Sequence, residues 1–126
     1  MLLAVAEHKD IHSELIPRIA TGFCSGMART GGMCGAVTGG VMAIGLLLGR
    51  NTPQEPVDRS YEAVRAFMQR FEARFGSLNC QELTGVHLGT PEGQAAFKAK
   101  NQIEQCIDYV GEAARMVVEI VESVDQ

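Results

Sequence analysis

The fold is decided by residues 31–48, which read Gly-Gly-Met-Cys-Gly-Ala-Val-Thr-Gly-Gly-Val-Met-Ala-Ile-Gly-Leu-Leu-Leu and carry no charged side chain. Twenty uncharged residues separate Arg29 from Arg50, a length that could cross a bilayer. Seven of the twenty are glycine, however, and only Val41 to Leu48 is strongly apolar. The composition therefore predicts a buried helix from about Cys34 to Leu48 and no stable membrane insertion.

Several glycines within this predicted helix indicate close packing against it. A glycine inside a helix costs about 1 kcal/mol relative to alanine. This segment carries four of them: Gly35, Gly39, Gly40 and Gly45. We therefore expect another backbone or a bound group to lie against the helix, and a second copy of the chain, in a homodimer, is one candidate.

Helical periodicity dominates the rest of the chain, and no segment alternates apolar and polar residues as a half-buried strand would. Ser13 is a candidate N-cap for a helix that reaches about Ala28. Further helices are predicted from Met1 to about His8, from Asp58 to the stop at Gly76, from Cys80, from Thr90-Pro91, and across the last apolar stripe to Val124. We predict an all-α fold, a single compact bundle of about five helices formed by residues 1–126.

Two apolar stripes at helical spacing are predicted to form most of the core. The first comprises Tyr61, Val64, Phe67, Met68, Phe71 and Phe75. The second comprises Ile103, Cys106, Ile107, Val110, Ala114, Val117, Val121 and Val124.

Composition and charge narrow the class of protein. A chain of 126 residues fits one domain and can build a core without cross-links. Its net charge of −4 argues against a nucleic-acid partner, which needs clustered Lys and Arg. The apolar run at Met1 to Val5 is too short for a secretory leader, so we expect a cytoplasmic location. In that reducing compartment, cysteines are more often catalytic, redox-active or metal-binding than structural.

Four cysteines with no CxxC pair are the candidate functional groups. Cys34 and Cys80 lie at predicted helix starts, where amides and the helix dipole favour a thiolate, so we expect a lowered pKa for Cys34. Both could instead be inert packing residues. Cys106 lies on an apolar stripe. Alone it would be a core residue, and it becomes a candidate site residue only if other cysteines lie next to it. Cys24 can approach Cys34 if the glycines between them fold the chain back. We predict that Cys34, Cys80 and Cys106 share one neighbourhood.

Other chemistry is weakly supported by the sequence. His87, in a glycine-containing loop, is the one histidine worth testing as a fourth metal ligand, although a solvated loop histidine is the simpler interpretation. No nucleophile elbow, phosphate-binding loop or dinucleotide-binding motif is found. Hydrolase and nucleotide-binding functions are therefore not indicated.

Residues 22–39, Gly-Phe-Cys-Ser-Gly-Met-Ala-Arg-Thr-Gly-Gly-Met-Cys-Gly-Ala-Val-Thr-Gly, resemble the signature of redox-active proteins named for four cysteines and a Cys-Gly-Ala-x-x-Gly motif. Residues 71–85, which contain Phe-Gly-Ser-Leu-Asn-Cys-Gln-Glu-Leu-Thr-Gly, resemble the segment around that family's third cysteine. Cys106 resembles the fourth. The resemblance covers nearly the whole chain.

The resemblance implies a small helical domain that is redox-active or binds zinc or an iron–sulfur cluster, and similar domains are fused to redox proteins such as split-Soret cytochromes. Cys34, Cys80 and Cys106 match the family's positions. The family's first cysteine is expected just upstream of the segment that here begins Met1-Leu2-Leu3, and it is absent from this sequence. Cys24 is the candidate fourth ligand, at a position where the family usually has a small residue. Without Cys24 as the fourth ligand, the metal site is incomplete.

We therefore predict a redox or metal-binding helical protein whose site is formed by Cys34, Cys80 and Cys106, with Cys24 as a candidate fourth metal ligand. The chemistry is thiol–disulfide exchange or electron transfer with an unidentified redox partner. Both an enzymatic and a non-enzymatic role are compatible with these residues. The alternative is a structural or dimeric helical interaction module in which the buried thiols are inert.

Overall fold

The computed structural model describes residues 1–124, and these residues form helices and no strand. The elements are α1 (Leu2–His8), a 3₁₀ helix (Arg18–Phe23), α2 (Cys24–Arg29), α3 (Gly35–Leu48), α4 (Asp58–Phe75), α5 (Cys80–Thr84), α6 (Pro91–Ala99) and α7 (Ile103–Val124). The all-α prediction is confirmed. The predicted number of helices, about five, is too low, because the described residues contain seven α-helical segments. Two of these, α2 and α5, are only six and five residues long.

The core is a bundle in which α3, α4 and α7 pack against one another and α1 packs on α3 and α7. Its fully buried side chains come from all four helices: Val5, Val37, Ile44, Phe67, Phe71 and Val117. Each such side chain contributes about 1.5–3 kcal/mol by leaving water. Packing in the bundle thus fixes the positions of α3 and α7. Cys34 lies immediately before α3, and Cys106 lies in the first turn of α7.

The glycines of α3 permit close approach of side chains from the same chain. A Cβ added at Gly40 would lie 2.4 Å from ring carbons of Phe67 on α4, and one at Gly39 would lie 2.8 Å from the Met1 side chain. Gly45 has nothing within 4 Å of the same position. The expected close packing is therefore found at Gly39 and Gly40, where side chains approach most closely, and at Gly35, where an added Cβ would lie 3.4 Å from the backbone of Cys24.

The helix predicted from Ser13 to Ala28 is wrong. The Ser13 hydroxyl oxygen accepts a hydrogen bond from the Leu15 amide at 3.2 Å, which forms a turn, and the 3₁₀ helix begins only at Arg18. Beyond Cys24 the backbone turns left-handed, with Gly26 at a φ of +67°. Gly22 and Gly26 are poor helix formers, so this segment has little intrinsic preference for a right-handed α-helix.

The apolar stripes are buried in their middles and exposed at their ends. Phe67 and Phe71 are fully buried, but Tyr61 is 56% exposed. On α7, Val117 and Val121 are buried, whereas Ile103, Ile107 and Val124 are 52%, 62% and 37% exposed. The prediction that Tyr61 and these three residues belong to the core is wrong, because they lie near the ends of α4 and α7, beyond the packed middle of the bundle.

Local signals place several helix ends as predicted. Gly76 ends α4 in the left-handed conformation at a φ of +89°. The Thr90 hydroxyl accepts from the Gly93 amide at 3.0 Å, with Pro91 opening α6. At the start of α5, Asn79 makes no side-chain cap to the backbone, and the Ser77 hydroxyl donates to the Glu82 carboxylate at 2.8 Å. None of the helices in residues 1–124 has the length and apolar character needed to cross a membrane.

Candidate functional site

All four cysteines line one cavity of about 510 Å³ between the N-terminal ends of α3 and α7. Cys24 opens α2, Cys34 precedes α3, Cys80 opens α5 and Cys106 lies in the first turn of α7. Cys24 is exposed, Cys34 and Cys106 are half-buried, and Cys80 is buried with 7% of its surface exposed. The structure thus brings the four sequence-predicted residues to a single cavity.

Cys34 and Cys80 are joined through the backbone. The Cys34 amide donates to the Leu78 carbonyl and the Cys80 amide donates to the Gly32 carbonyl, each at 2.8 Å. These two bonds flank an isolated antiparallel bridge between Met33 and Asn79. In an antiparallel ladder, Cys34 and Cys80 would be diagonal neighbours on one face, about 7–8 Å apart. Two segments distant in sequence are therefore held in a fixed register with both cysteines on the cavity.

Side chains near Cys106 hydrogen bond backbone carbonyls of α5. The Gln102 amide nitrogen donates to the Thr84 carbonyl at 2.7 Å, and the Gln105 amide nitrogen donates to the Leu83 carbonyl at 2.9 Å. The Tyr109 hydroxyl donates to the same Leu83 carbonyl at 3.3 Å. These bonds satisfy carbonyls at the end of the short helix α5, which otherwise lack partners. They keep Cys106 beside the helix that begins with Cys80.

One turn of left-handed backbone follows Cys24. Five consecutive residues from Ser25 to Arg29 have φ values between 55° and 67°. Four of the five are not glycine, and each such residue costs about 1–2 kcal/mol in this conformation. Thr30 stabilises the turn, because its hydroxyl donates to the Met27 carbonyl at 2.8 Å and to the Gly26 carbonyl at 3.1 Å. The turn places Cys24 against Gly35, where an added Cβ would lie 3.4 Å from the Cys24 Cα.

Gly26 sets how closely this turn approaches Cys80. A Cβ added at Gly26 would lie 2.5 Å from the Cys80 Cβ and 3.2 Å from its sulfur. Because Gly26 also has a positive φ, any other residue there would be both strained and crowded. The glycine therefore lets the turn cover one side of the Cys80 thiol.

Burial raises the pKa of Cys34, and the prediction of a lowered pKa is wrong. The amides of Ala36 and Val37 at the start of α3 hydrogen bond the sulfur and pull the pKa down, as expected of a helix start. The loss of solvent around the thiol is the larger effect. Cys34 is therefore mainly a neutral thiol at neutral pH.

The thiols of Cys80 and Cys106 also have raised pKa values, and each is affected by its neighbours. For Cys80 the largest cause is burial, followed by repulsion from a Cys34 thiolate, with a hydrogen bond from Thr84 acting in the opposite direction. For Cys106, burial and then repulsion from Cys34 and Cys80 raise the pKa to about 11. The three thiols are therefore close enough to repel one another when ionised.

His87 lies outside the cavity lined by the cysteines. Its Nδ1 accepts a hydrogen bond from the Gly89 amide at 2.9 Å, and its carbonyl accepts from the Thr90 hydroxyl at 2.9 Å. These bonds organise the loop before α6. The structure therefore gives His87 a role in the loop and does not bring it to the thiols.

Sequence reasoning missed several residues that line the cavity together with the thiols. Leu88 and Phe97 contribute apolar surface, while Arg29 and Lys98 are the charged residues that line it. No aspartate or glutamate of residues 1–124 does so. Periodicity predicts the helix that contains Phe97 and Lys98, but the face it presents depends on packing between elements that are distant in sequence.

The arrangement does not fit a bound metal ion. Within residues 1–124, no group of three or more His, Cys, Asp or Glu side chains is placed to hold one. The four thiols share one cavity, but no three of them are grouped so as to hold an ion. Metal ligation by Cys24, Cys34, Cys80 and Cys106 stays a prediction, and the thiol chemistry argued below needs no metal.

Comparison with known proteins identifies one family. A family model described as "Putative redox-active protein (C_GCAxxG_C_C)" matches residues 1–120. No curated protein and no solved structure matches the chain.

Proposed function

The chain belongs to the C_GCAxxG_C_C family of redox-active proteins, and from that premise we propose that it is a thiol–disulfide protein whose working pair is Cys34 and Cys80. In the reduced form both residues are thiols. In the oxidised form they share a disulfide, and two electrons and two protons have passed to a disulfide-containing redox partner. A cytoplasmic location, where thiols are kept reduced, belongs to the same proposal.

The observation that carries the proposal is the shared cavity. Four cysteines from four separate segments line it, although packing alone gives no reason for thiols to converge. Two of them, Cys34 and Cys80, flank the only isolated backbone bridge in residues 1–124. A disulfide requires the two Cα atoms to come within about 7 Å, and diagonal neighbours across a bridge need little movement to reach that distance.

The test is an anaerobic redox titration. Reduced protein is equilibrated with buffers of increasing oxidised to reduced dithiothreitol, remaining thiols are alkylated, and disulfide-linked peptides are identified by mass spectrometry. We expect one two-electron transition that joins the Cys34 and Cys80 peptides, and its loss in Cys34→Ser.

The variant Cys106→Ser tests the assignment of the pair. It removes a Cys80–Cys106 bond and leaves a Cys34–Cys80 bond possible. Loss of the transition in this variant would reassign the pair while keeping the redox function. If no disulfide forms in the unmodified protein at any ratio, the proposed thiol–disulfide function is wrong, and the interaction-module alternative is favoured if the protein also binds no metal.

Metal binding is tested on the same preparation. Elemental analysis and an absorption spectrum are recorded on anaerobically purified protein before any reductant is added. Stoichiometric zinc or iron that is lost in Cys24→Ser would establish a ligand role for Cys24 and would contradict the metal-free proposal.

A further inference from the structure

The cavity in front of the thiols has the size of a small-molecule site. Its volume of about 510 Å³ lies within the range of about 300–1,000 Å³ that is usual for such sites. The thiols line it together with the aliphatic and aromatic side chains of Leu88, Phe97, Ile103 and Val110. A ligand with a short apolar body is therefore accommodated next to the sulfurs.

The charges on this cavity have one sign. Arg29, at the end of the left-handed turn, and Lys98, in the last turn of α6, both line it. Neither side chain has a hydrogen bond or an ion pair within residues 1–124. The absence of acidic lining residues in that part of the chain contrasts with a net charge of −4 for the protein. Two cations without a partner in this part of the chain, at a mostly apolar cavity, complement a carboxylate.

We propose that the substrate of this site is a small organic disulfide that carries carboxylate groups on a short aliphatic body. The proposal rests on the thiol–disulfide function argued above and names its substrate class. Arg29 and Lys98 attract and orient the carboxylates, and the apolar wall holds the carbon chain with the disulfide against the thiols.

The reaction proceeds in two exchanges. The half-buried Cys34, as its thiolate, attacks one sulfur of the substrate R–S–S–R. The S–S bond breaks, the first RS⁻ leaves and takes up a proton, and Cys34 is joined to the second RS group. The Cys80 thiolate then attacks the Cys34 sulfur and releases the second RS⁻, which is also protonated. The protein loses two electrons and two protons, one disulfide forms in the chain, and the substrate becomes two thiols.

The experiment compares three symmetrical disulfides of similar size and different charge. Fully reduced protein is mixed with 3,3′-dithiodipropionate, which is anionic, with bis(2-hydroxyethyl) disulfide, which is neutral, or with cystamine, which is cationic. The rate of protein disulfide formation is followed by mass spectrometry of acid-quenched samples. Each rate is divided by the rate at which 2-mercaptoethanol reduces the same disulfide, which removes differences in intrinsic reactivity.

We expect the normalised rate to be highest for the anionic disulfide and lowest for the cationic one. Each exposed cation contributes up to about fivefold, so Arg29→Gln and Lys98→Gln should each reduce the preference for the anionic disulfide by about 1.5- to fivefold. The matched control is Arg65→Gln, since Arg65 is an exposed arginine on α4 that does not line the cavity. It should leave the preference unchanged.

Equal normalised rates for the three disulfides would overturn the proposed substrate class while leaving the thiol–disulfide function intact. An effect of Arg65→Gln equal to that of Arg29→Gln would also overturn it, because net charge alone would then explain the preference. Failure of all three disulfides to produce a protein disulfide would instead overturn the function on which the proposal rests.

Discussion

A single added methyl group at Gly40 would collide with the ring of Phe67, which is fully buried in the core. We predict that Gly40→Ala lowers the free energy of unfolding by about 1–3 kcal/mol, the usual cost of overpacking. Gly45→Ala in the same helix is the control. It adds a methyl group in open space and should raise the free energy of unfolding by about 0.5–1 kcal/mol. Urea titrations of both variants measure the difference, and equal effects would contradict the close packing.

The Cys106 thiol provides the pH-dependent prediction. Its pKa is raised from the ordinary value of 9.0 to about 11, so at pH 8 its thiolate fraction is about a hundredfold below that of an ordinary thiol. Because only the thiolate reacts, we expect alkylation of Cys106 to accelerate about tenfold per pH unit and to level off near that pKa. Peptide mass spectrometry after brief exposure to iodoacetamide measures the rate.

The double variant Cys34→Ser, Cys80→Ser separates the causes of this shift. Without the two neighbouring thiolates the pKa of Cys106 should fall, but burial should keep it above 9.0. An unchanged pKa would show that the three thiols do not interact.

At the scale of elements, the handedness of α2 gives a prediction with an unusual sign. Ala28 has a φ of +56°, so glycine should be better tolerated there than alanine. We predict that Ala28→Gly raises the free energy of unfolding by about 0.5–1 kcal/mol, since relief of left-handed strain exceeds the added entropy of the unfolded chain.

Ala95→Gly is the matched control, since Ala95 is also exposed but lies inside the right-handed helix α6. It should cost about 1 kcal/mol. The same loss at both positions, measured by thermal and urea unfolding, would mean that α2 is an ordinary right-handed turn.

The elements that the sequence predicts well are those with local signals. Gly76 ends α4 because it adopts a positive φ, and Thr90 opens α6 because its hydroxyl accepts an amide hydrogen bond. The left-handed turn after Cys24 has no such signal. It depends on Thr30 and on the close approach of Gly26 to Cys80, a residue more than fifty positions away in the sequence.

The candidate site was predictable only in part: its cysteines were, whereas its cationic residues and the direction of the Cys34 pKa shift were not. Helix starts and an apolar stripe identify the cysteines as candidates to meet, because these positions can face a common interior. The identity of Arg29 and Lys98 as cavity residues was not predictable, since it depends on how α2 and α6 pack around α3 and α7. The pKa of Cys34 was predicted in the wrong direction because burial, which outweighs the helix-start amides, is not visible in the local sequence.

At the scale of the whole molecule, the proposed disulfide should make the oxidised protein more stable than the reduced one. Cys34 and Cys80 lie 46 positions apart, and closing a loop of that length removes about 4 kcal/mol of unfolded-state entropy. We predict that oxidation raises the Tm by more than about 10 °C. Calorimetry of both forms measures the shift. Cys80→Ser should abolish it, and an unchanged or lower Tm on oxidation would contradict a disulfide compatible with the native backbone.

The two backbone hydrogen bonds that join residues 32–34 to residues 78–80 also have an electrochemical consequence. Oxidation and unfolding form a thermodynamic cycle. The increase in the free energy of unfolding caused by the disulfide must therefore equal the free energy by which folding stabilises the disulfide relative to the two thiols. A contribution of about 4 kcal/mol corresponds to a midpoint potential about 85 mV more negative in the folded chain than in the unfolded one. If Cys34 and Cys80 form the proposed disulfide, the folded bundle therefore lowers the midpoint potential of this pair, and partial loss of tertiary structure would make the pair a stronger oxidant.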